Sequence, residues 1–450
     1  MRSTRSISAT DGRPRVGDAR PVTPTETAAR PCALPGTPLA QAAAGLDACV
    51  HCGFCLQACP TYLALEDEND SPRGRLVLMR GILDGDVQLT DPVVQRHMDR
   101  CLGCRGCETA CPSGVPYGQL LEATRATLRR VTTPPLIARW ILRSFASRPL
   151  LCLALFAGRA ARSLGLPALF ARVPGRIGSG MAMLASTRAV FNTPAYRLPA
   201  AFTRGDVTLL RGCVMEGLQS ATNDATVRTL AVNGYRVVET AAQGCCGALH
   251  AHAGDLYTAR VLAKANIAAF EATPDALIAV NAAGCGAMLK EYAHLLDDDP
   301  AWHARAVAVS ARTRDATELL AAAGPRPASL PAALRVTYDA PCHLQHAQRL
   351  TAPPLAVLDA IGNLTRVPLE DSDQCCGSAG IYNLIEPEVS DAVLAPKLRN
   401  IAATGATIVV TGNPGCLMQI GAGLRRSGSS VRVVHPIDLL DAAYAADARS

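Results

Sequence analysis

Residues 49–60 read C-V-H-C-G-F-C-L-Q-A-C-P and residues 101–112 read C-L-G-C-R-G-C-E-T-A-C-P. The spacing C-x-x-C-x-x-C-x-x-x-C-P therefore stands twice. A [4Fe–4S] cube needs four thiolates converging on its irons, and this is the spacing of the bacterial cluster-binding run. Three cysteines at steps of three share a tight loop and can bind one face of a cube. The fourth lies further on and points elsewhere. A proline after it suits the first turn of a helix, where a missing N–H costs nothing. Zinc also takes C-x-x-C pairs, but two pairs fill its shell, and two boxes of four exceed that need.

In two-cluster ferredoxins the fourth cysteine ligates the other cluster. That resemblance implies crossed sets: Cys49, Cys52, Cys55 and Cys111 on one [4Fe–4S] cluster, and Cys101, Cys104, Cys107 and Cys59 on the second. His51, between two of these cysteines, would tune or solvate a cluster rather than bind iron. Between the boxes, residues 71–85 read S-P-R-G-R-L-V-L-M-R-G-I-L-D-G. Leu76, Met79, Arg80 and Leu83 fall at helical steps, and Gly85 can end the helix. A helical insert here resembles the alpha-helical ferredoxin module of succinate dehydrogenase iron–sulfur subunits.

Ten further cysteines remain, and most of them repeat. G-C-C-G occurs at 244–247 and C-C-G again at 375–377; R-G-C stands upstream of the first and A-P-C of the second; N-A-A-G-C and N-P-G-C stand downstream. The offsets between matching cysteines are 342−213 = 129, 375−245 = 130 and 416−285 = 131, so the second half of the chain is a duplication. Each half alternates strand-like runs, such as D-V-T-L-L and A-T-I-V-V, with helical ones, such as T-N-D-A-T-V-R-T-L-A-V ending at Asn233-Gly234. That alternation predicts parallel α/β units. The cysteines then fall at the carboxyl ends of strands, where open α/β sheets place their ligands.

Two copies of C…C-C-G…C resemble the cysteine-rich CCG domain of the heterodisulfide reductase-like family. Fused behind two ferredoxin boxes, over about residues 40–445, they resemble glycolate oxidase iron–sulfur subunits most closely. The resemblance implies metal-binding sets of Cys213, Cys245, Cys246 and Cys285, and of Cys342, Cys375, Cys376 and Cys416. Full CCG motifs carry a fifth cysteine that holds a non-cubane cluster. Here Met288 and Gln419 stand in its place, so buried thiols are the competing reading of both sets. His250, His252 and His343 follow these motifs; they read as proton carriers or, more blandly, as packing residues. Cys32 reads as an incidental thiol and Cys152 as a core residue.

Composition narrows the remaining classes. The 450 residues are 49% hydrophobic but only 4% aromatic, and the formal charge of +6 is spread without a dense basic stripe, which argues against nucleic acid. No secretory signal precedes the 18 cysteines, so a reducing, cytoplasmic setting and free or metal-bound thiols are expected. The run L-L-C-L-A-L-F-A-G at 150–158 lies among Arg139, Arg143, Arg148, Arg159 and Arg162. It reads as an amphipathic surface touching the inner face of the membrane or a partner, or as a helix buried against the chain, which its shortness favours. There is no G-x-G-x-x-G after a strand, no P-loop and no nucleophile elbow. No catalytic residue is therefore assigned, and substrate chemistry is expected on another cofactor.

The expected fold is α+β and multidomain: a disordered extension (1–40), an alpha-helical ferredoxin domain (41–130), a helical linker region (131–204) and two repeated α/β CCG domains (205–330 and 331–450). The resemblance implies an electron-transfer subunit of a glycolate dehydrogenase. FAD would sit on a partner subunit, and a quinone or another acceptor would receive the electrons. Lactate, glycerol-3-phosphate and heterodisulfide reductase-like complexes share the architecture, and a non-enzymatic iron–sulfur redox sensor is the alternative of another class.

Overall fold

The computed structural model describes residues 32–449, apart from 172, 174, 192 and 200. The expected extension lies outside the described residues up to residue 31. Its last residues are structured: Thr37 caps a short helix, Pro38–Gln41, whose Leu39 is fully buried.

The first domain is helical, as the insert between the boxes predicts. Ser71 accepts a hydrogen bond from the Gly74 N–H and starts helix Pro72–Asp84, and Gly85 ends it at φ +78°. Its inner side, Leu76, Met79, Ile82 and Leu83, packs with Met98 and Leu120 from helices Pro92–Asp99 and Tyr117–Leu128. Pro60 opens helix Pro60–Leu65, as its place after Cys59 predicts. Pro112 does not repeat this. It lies in a turn that Gly114 completes at φ +68°, and the next helix starts only at Tyr117.

Four helices follow: Leu136–Ala146, Arg148–Ser163, Leu166–Phe170 and Arg176–Ala185. The buried-helix reading of residues 150–158 fails here. Arg148–Ser163 has no buried residue, and Leu153 and Phe156 are 65% and 68% exposed. Cys152 is exposed as well, not core. The reason is that apolar side chains run right round these helices, so packing one side leaves another bare. Among the described residues no single helix is long and apolar enough to cross a membrane. Leu136–Ala146 and Arg148–Ser163 meet at 107°, with Ser147 in extended conformation and Pro149 in the first turn of the second.

Two parallel sheets complete the chain. β1 (Asp206–Leu209), β2 (Arg236–Val238), β3 (Leu277–Val280) and β4 (Thr313–Asp315) lie in the order β2-β1-β3-β4. β5 (Ala328–Tyr338), β6 (Ile361–Val367), β7 (Ile408–Val410) and β8 (Arg432–Val434) repeat it as β6-β5-β7-β8. The central strands are buried runs, such as Ile278-Ala279-Val280 and Ile408-Val409-Val410, as a sheet covered on both faces requires. β5 begins three residues before the expected boundary at 331.

Besides a core cluster of its own in each half, the two halves share a third. Helix Ala316–Ala323, after β4, packs on Ala352–Asp359 of the second half; helix Pro436–Asp447, after β8, packs on Ser220–Val232 of the first. Val207, Leu230 and Leu320 thus share one core with Val336, Leu358, Ile437 and Leu440. Each such side chain contributes about 1.5–3 kcal/mol by leaving water. Asp441 accepts both arms of the Arg228 guanidinium, at 2.9 and 2.6 Å, across the same seam.

Candidate metal centres

Both boxes are loops shaped by alternating left-handed residues. His51 (φ +55°) and Gly53 (φ +84°) follow Cys49 at positions +2 and +4; Gly103 (φ +60°) and Arg105 (φ +64°) follow Cys101 at the same positions. Backbone that alternates in this way turns its N–H groups toward a common anionic centre. The Gly103 N–H points at Cys101 Sγ, 3.4 Å away. His51 is exposed, and its carbonyl accepts a hydrogen bond from Arg73; its part in the site is backbone shape.

The loops bring the cysteines together across the boxes. Burial pushes the Cys55 thiol up, and the charges of Cys49 and Cys111 push it further. Cys52 lines the same small pocket. Burial likewise raises Cys59, against the Arg75 charge and with the charges of Cys104 and Cys101, and Cys107, whose neighbours include Cys104, Cys101 and Cys59. No disulfide joins the described cysteines. Two gathered tetrads of free thiols, with inward-turned amides, fit [4Fe–4S] clusters.

A buried cation serves the second tetrad. Arg75 is fully buried and donates to the His97 carbonyl (2.7 Å), Thr61 Oγ1 (3.2 Å) and Asp70 Oδ1 (3.0 Å). Burial alone would lower its pKa. The charges of Cys101, Tyr117, Cys59 and Asp70 outweigh that and leave it raised. Nothing in the spacing of residue 75 singles it out beyond its place on a helix.

In the α/β halves every motif cysteine follows the carboxyl end of a strand. Cys213 follows β1, Cys245 and Cys246 follow β2, and Cys285 follows β3; Cys342, Cys375 with Cys376, and Cys416 repeat the arrangement after β5, β6 and β7. Cys213 and Cys245 have their sulfurs 3.7 Å apart, and Cys246 and Cys285 3.3 Å apart. A tetrahedron of sulfurs about 2.3 Å from a metal has edges of about 3.8 Å, so each of these pairs is spaced as two ligands of one metal. In the second half Cys375 touches Cys342 and Cys376, and Cys376 touches Cys416. The glycine of each C-C-G is there for space: Gly247 (φ +91°) lies against Ala259, and Gly377 (φ +81°) against the Ser390 carbonyl, only 2.7 Å from where a Cβ would stand.

All eight of these cysteines line one cavity of about 690 Å³, together with Cys101 and His343. The second half also meets the second box directly. The Cys104 thiol contacts Cys375, which lowers Cys104 and raises Cys375. Around that contact Thr109 Oγ1 meets His346 Nδ1 (2.8 Å), Tyr382 donates to the Arg100 carbonyl (3.0 Å), and Arg105 pairs with Glu291 of the first half. Among the described residues no equivalent contact reaches the cysteines of the first half.

The histidines divide. His250 Nε2 packs against the Leu142 carbonyl (3.0 Å), which is the bland reading. His252 pairs with Glu122 (2.9 Å) and lies 5.2 Å from the His343 ring. Burial, then the charges of His252, Arg105 and His346, push His343 down to about 3, so its imidazole stays neutral. Cys32 is exposed and belongs to no cluster.

Comparison with known proteins agrees with this arrangement. Residues 45–115 match the 4Fe-4S dicluster domain, and residues 207–290 and 336–421 each match the Cysteine-rich domain. The chain is 37% identical over 415 residues to a probable glycolate oxidase iron-sulfur subunit of Bacillus subtilis, covering 87% of this chain and 92% of the relative. It is 36% identical to the glycolate oxidase iron-sulfur subunit of Escherichia coli, covering 88% and 94%. The chain belongs to the glycolate oxidase iron–sulfur subunit family. Lactate utilization protein A of Exiguobacterium is 30% identical, but matches 52% of this chain while covering 97% of its own length. The family places this chain among the iron–sulfur electron-transfer subunits of dehydrogenases, with substrate chemistry outside it.

Proposed function

We propose that Cys49, Cys52, Cys55 and Cys111 hold one [4Fe–4S] cluster and Cys101, Cys104, Cys107 and Cys59 the other, and that the chain serves a glycolate dehydrogenase. A flavin on a partner subunit would oxidise glycolate to glyoxylate. The clusters supply one-electron storage and release. The chain's own residues gather the thiolates, keep water out and set their charge, with Arg75 offsetting the second set. The sets of Cys213, Cys245, Cys246 and Cys285, and of Cys342, Cys375, Cys376 and Cys416, hold further metal. The observation that carries this reading is the Cys104–Cys375 contact, which joins the second box to the cysteines of the α/β halves. Metal analysis with EPR on anaerobically purified protein tests it. About eight irons per chain from the boxes, with more from the α/β halves, is the expected result; zinc without iron would overturn it.

The helical region supports a peripheral membrane contact at the cytoplasmic side. Residues 123–205 hold thirteen arginines and no Asp or Glu. Leu136, Trp140, Leu153, Phe156 and Leu169 are each 65–70% exposed on it. Apolar side chains rimmed by arginine suit an anionic lipid surface. The protein should sediment with vesicles containing phosphatidylglycerol and release from them at about 1 M salt, where the Debye length falls to about 3 Å. Equal binding to neutral vesicles, or none to either, would assign this surface to a protein partner instead.

A further inference from the structure

The 690 Å³ cavity has two unlike walls. Its inner wall is the eight strand-end cysteines. Its outer wall is apolar and comes from three of the helices whose other sides are bare: Ile141 and Phe145 from Leu136–Ala146, Leu155 from Arg148–Ser163, and Met183 and Leu184 from Arg176–Ala185. A volume of several hundred Å³ with apolar walls and a few polar groups is what small-molecule sites look like. Three polar atoms of residues on its lining have no partner in the protein: Arg125 Nε, His343 Nε2 and Asn383 Oδ1. All three atoms are buried, and a buried polar atom left unpaired is costly. Asn383 cannot turn to solve this, because its Nδ2 already donates to Gln419 Oε1 at 2.8 Å.

These features define a ligand. It faces the strand-end cysteines proposed above to hold metal in an electron-transfer chain, so it exchanges electrons. It passes between helices whose outer sides are apolar and arginine-rimmed, so it is lipid-soluble. It offers hydrogen-bonding oxygens to His343 and Asn383. We propose that this cavity binds the head group of a lipid-soluble quinone. The proposal rests on the electron-transfer reading above and adds the place at which the acceptor binds. The quinone takes two electrons and two protons and becomes the quinol. Oxidation of glycolate at its C–OH to the C=O of glyoxylate releases the same two electrons and two protons. The unpartnered Nε2 of the His343 imidazole is placed to hydrogen-bond the oxygen of the head group. Asn383 Oδ1 can accept from the quinol hydroxyl.

A photoreactive azidoquinone, added to the complex with its flavin subunit in nanodiscs, tests the site. Label is expected in peptides from 136–184 and 380–386, and an excess of unlabelled quinone should remove it. Gly180 lines the cavity, and a Cβ built there meets no atom within 4 Å. Gly180→Phe should therefore fill the cavity without displacing its neighbours and lower labelling at least tenfold. Ala154→Phe, on a second helix of the same wall, should do the same if the first variant folds poorly. Label elsewhere, or label in the cavity that neither variant lowers, overturns the proposal. Glycolate-driven reduction of a soluble dye by the wild-type complex separates the two levels. Dye reduced without cavity labelling sinks the quinone site alone; dye not reduced sinks the electron-transfer reading beneath it.

Discussion

Lys397→Met is expected to destabilise the chain by about 3–5 kcal/mol, seen as a fall in the denaturant midpoint of the α/β region. Lys397 and Asp339 are each 2% exposed and sit 2.5 Å apart. Burial works against the lysine's charge, and Asp339 more than restores it. Without the lysine, Asp339 keeps only the Thr411 hydroxyl, at 2.9 Å, and a lone buried carboxylate is costly. The duplication supplies an internal control. Asp339 occupies the place of Leu210, three residues before the first cysteine of its half. Gly247 against Ala259 matches Gly377 against Ser390, and that register sets Asn266 opposite Lys397. Asn266 holds the loop before its cysteines through the Gly244 N–H and the Cys245 carbonyl. Lys397 holds the matching loop through the Asp371 and Ser372 carbonyls. The double variant Asp339→Leu with Lys397→Asn should recover at least about 2 kcal/mol of the loss, because a buried ion pair is often replaceable by neutral groups of similar size. Equal losses in the single and double variants would show that the pair holds more than its own charges. That further burden would be the field on Cys376 and Cys416, which Asp339 pushes up.

Arg75→Met should empty the second tetrad selectively. The variant leaves Asp70 with Arg100 at 3.2 Å and His97 at 3.1 Å and removes the cation beside Cys59 and Cys101. Iron should fall by about four atoms per chain, with the EPR signal of the first cluster retained. Arg75→Lys keeps the charge but not the fork that reaches Thr61, Asp70 and the His97 carbonyl at once, and should restore part of the iron. Loss of all iron in Arg75→Met would mean that the arginine holds the whole domain together rather than one tetrad. Full iron in both variants would mean that it serves packing only.

The sequence carried most of the scaffold because its signals are local. Box spacing, a helix bounded by Ser71 and Gly85, and cysteines after apolar runs need no knowledge of distant residues. Strands such as β4, Thr313-Arg314-Asp315, left no trace, since three polar-flanked residues have no period to detect. Arg75 and Lys397 were invisible for another reason: a charged residue on a helix normally faces water, and only the assembled fold reveals the buried partner. The run at 150–158 misled because apolar composition usually means burial. Its neighbours on the same helices are apolar on the opposite side as well, and one chain cannot cover both. The Cys104–Cys375 meeting joins residues 271 apart in sequence (375−104 = 271), beyond the reach of any spacing argument.

The exchange of helices between the halves bears on how the chain is made. Helix Ser220–Val232 receives its cover from Pro436–Asp447, some two hundred residues later in synthesis. While the ribosome adds those residues, at about 5–20 per second, the first half waits with an apolar face open to water and its cysteines already in place. Contacts of such long sequence separation also slow the final closure. The vulnerable form of this protein is thus the nascent one. Iron delivered too early would meet a first half whose core is still missing its last helix.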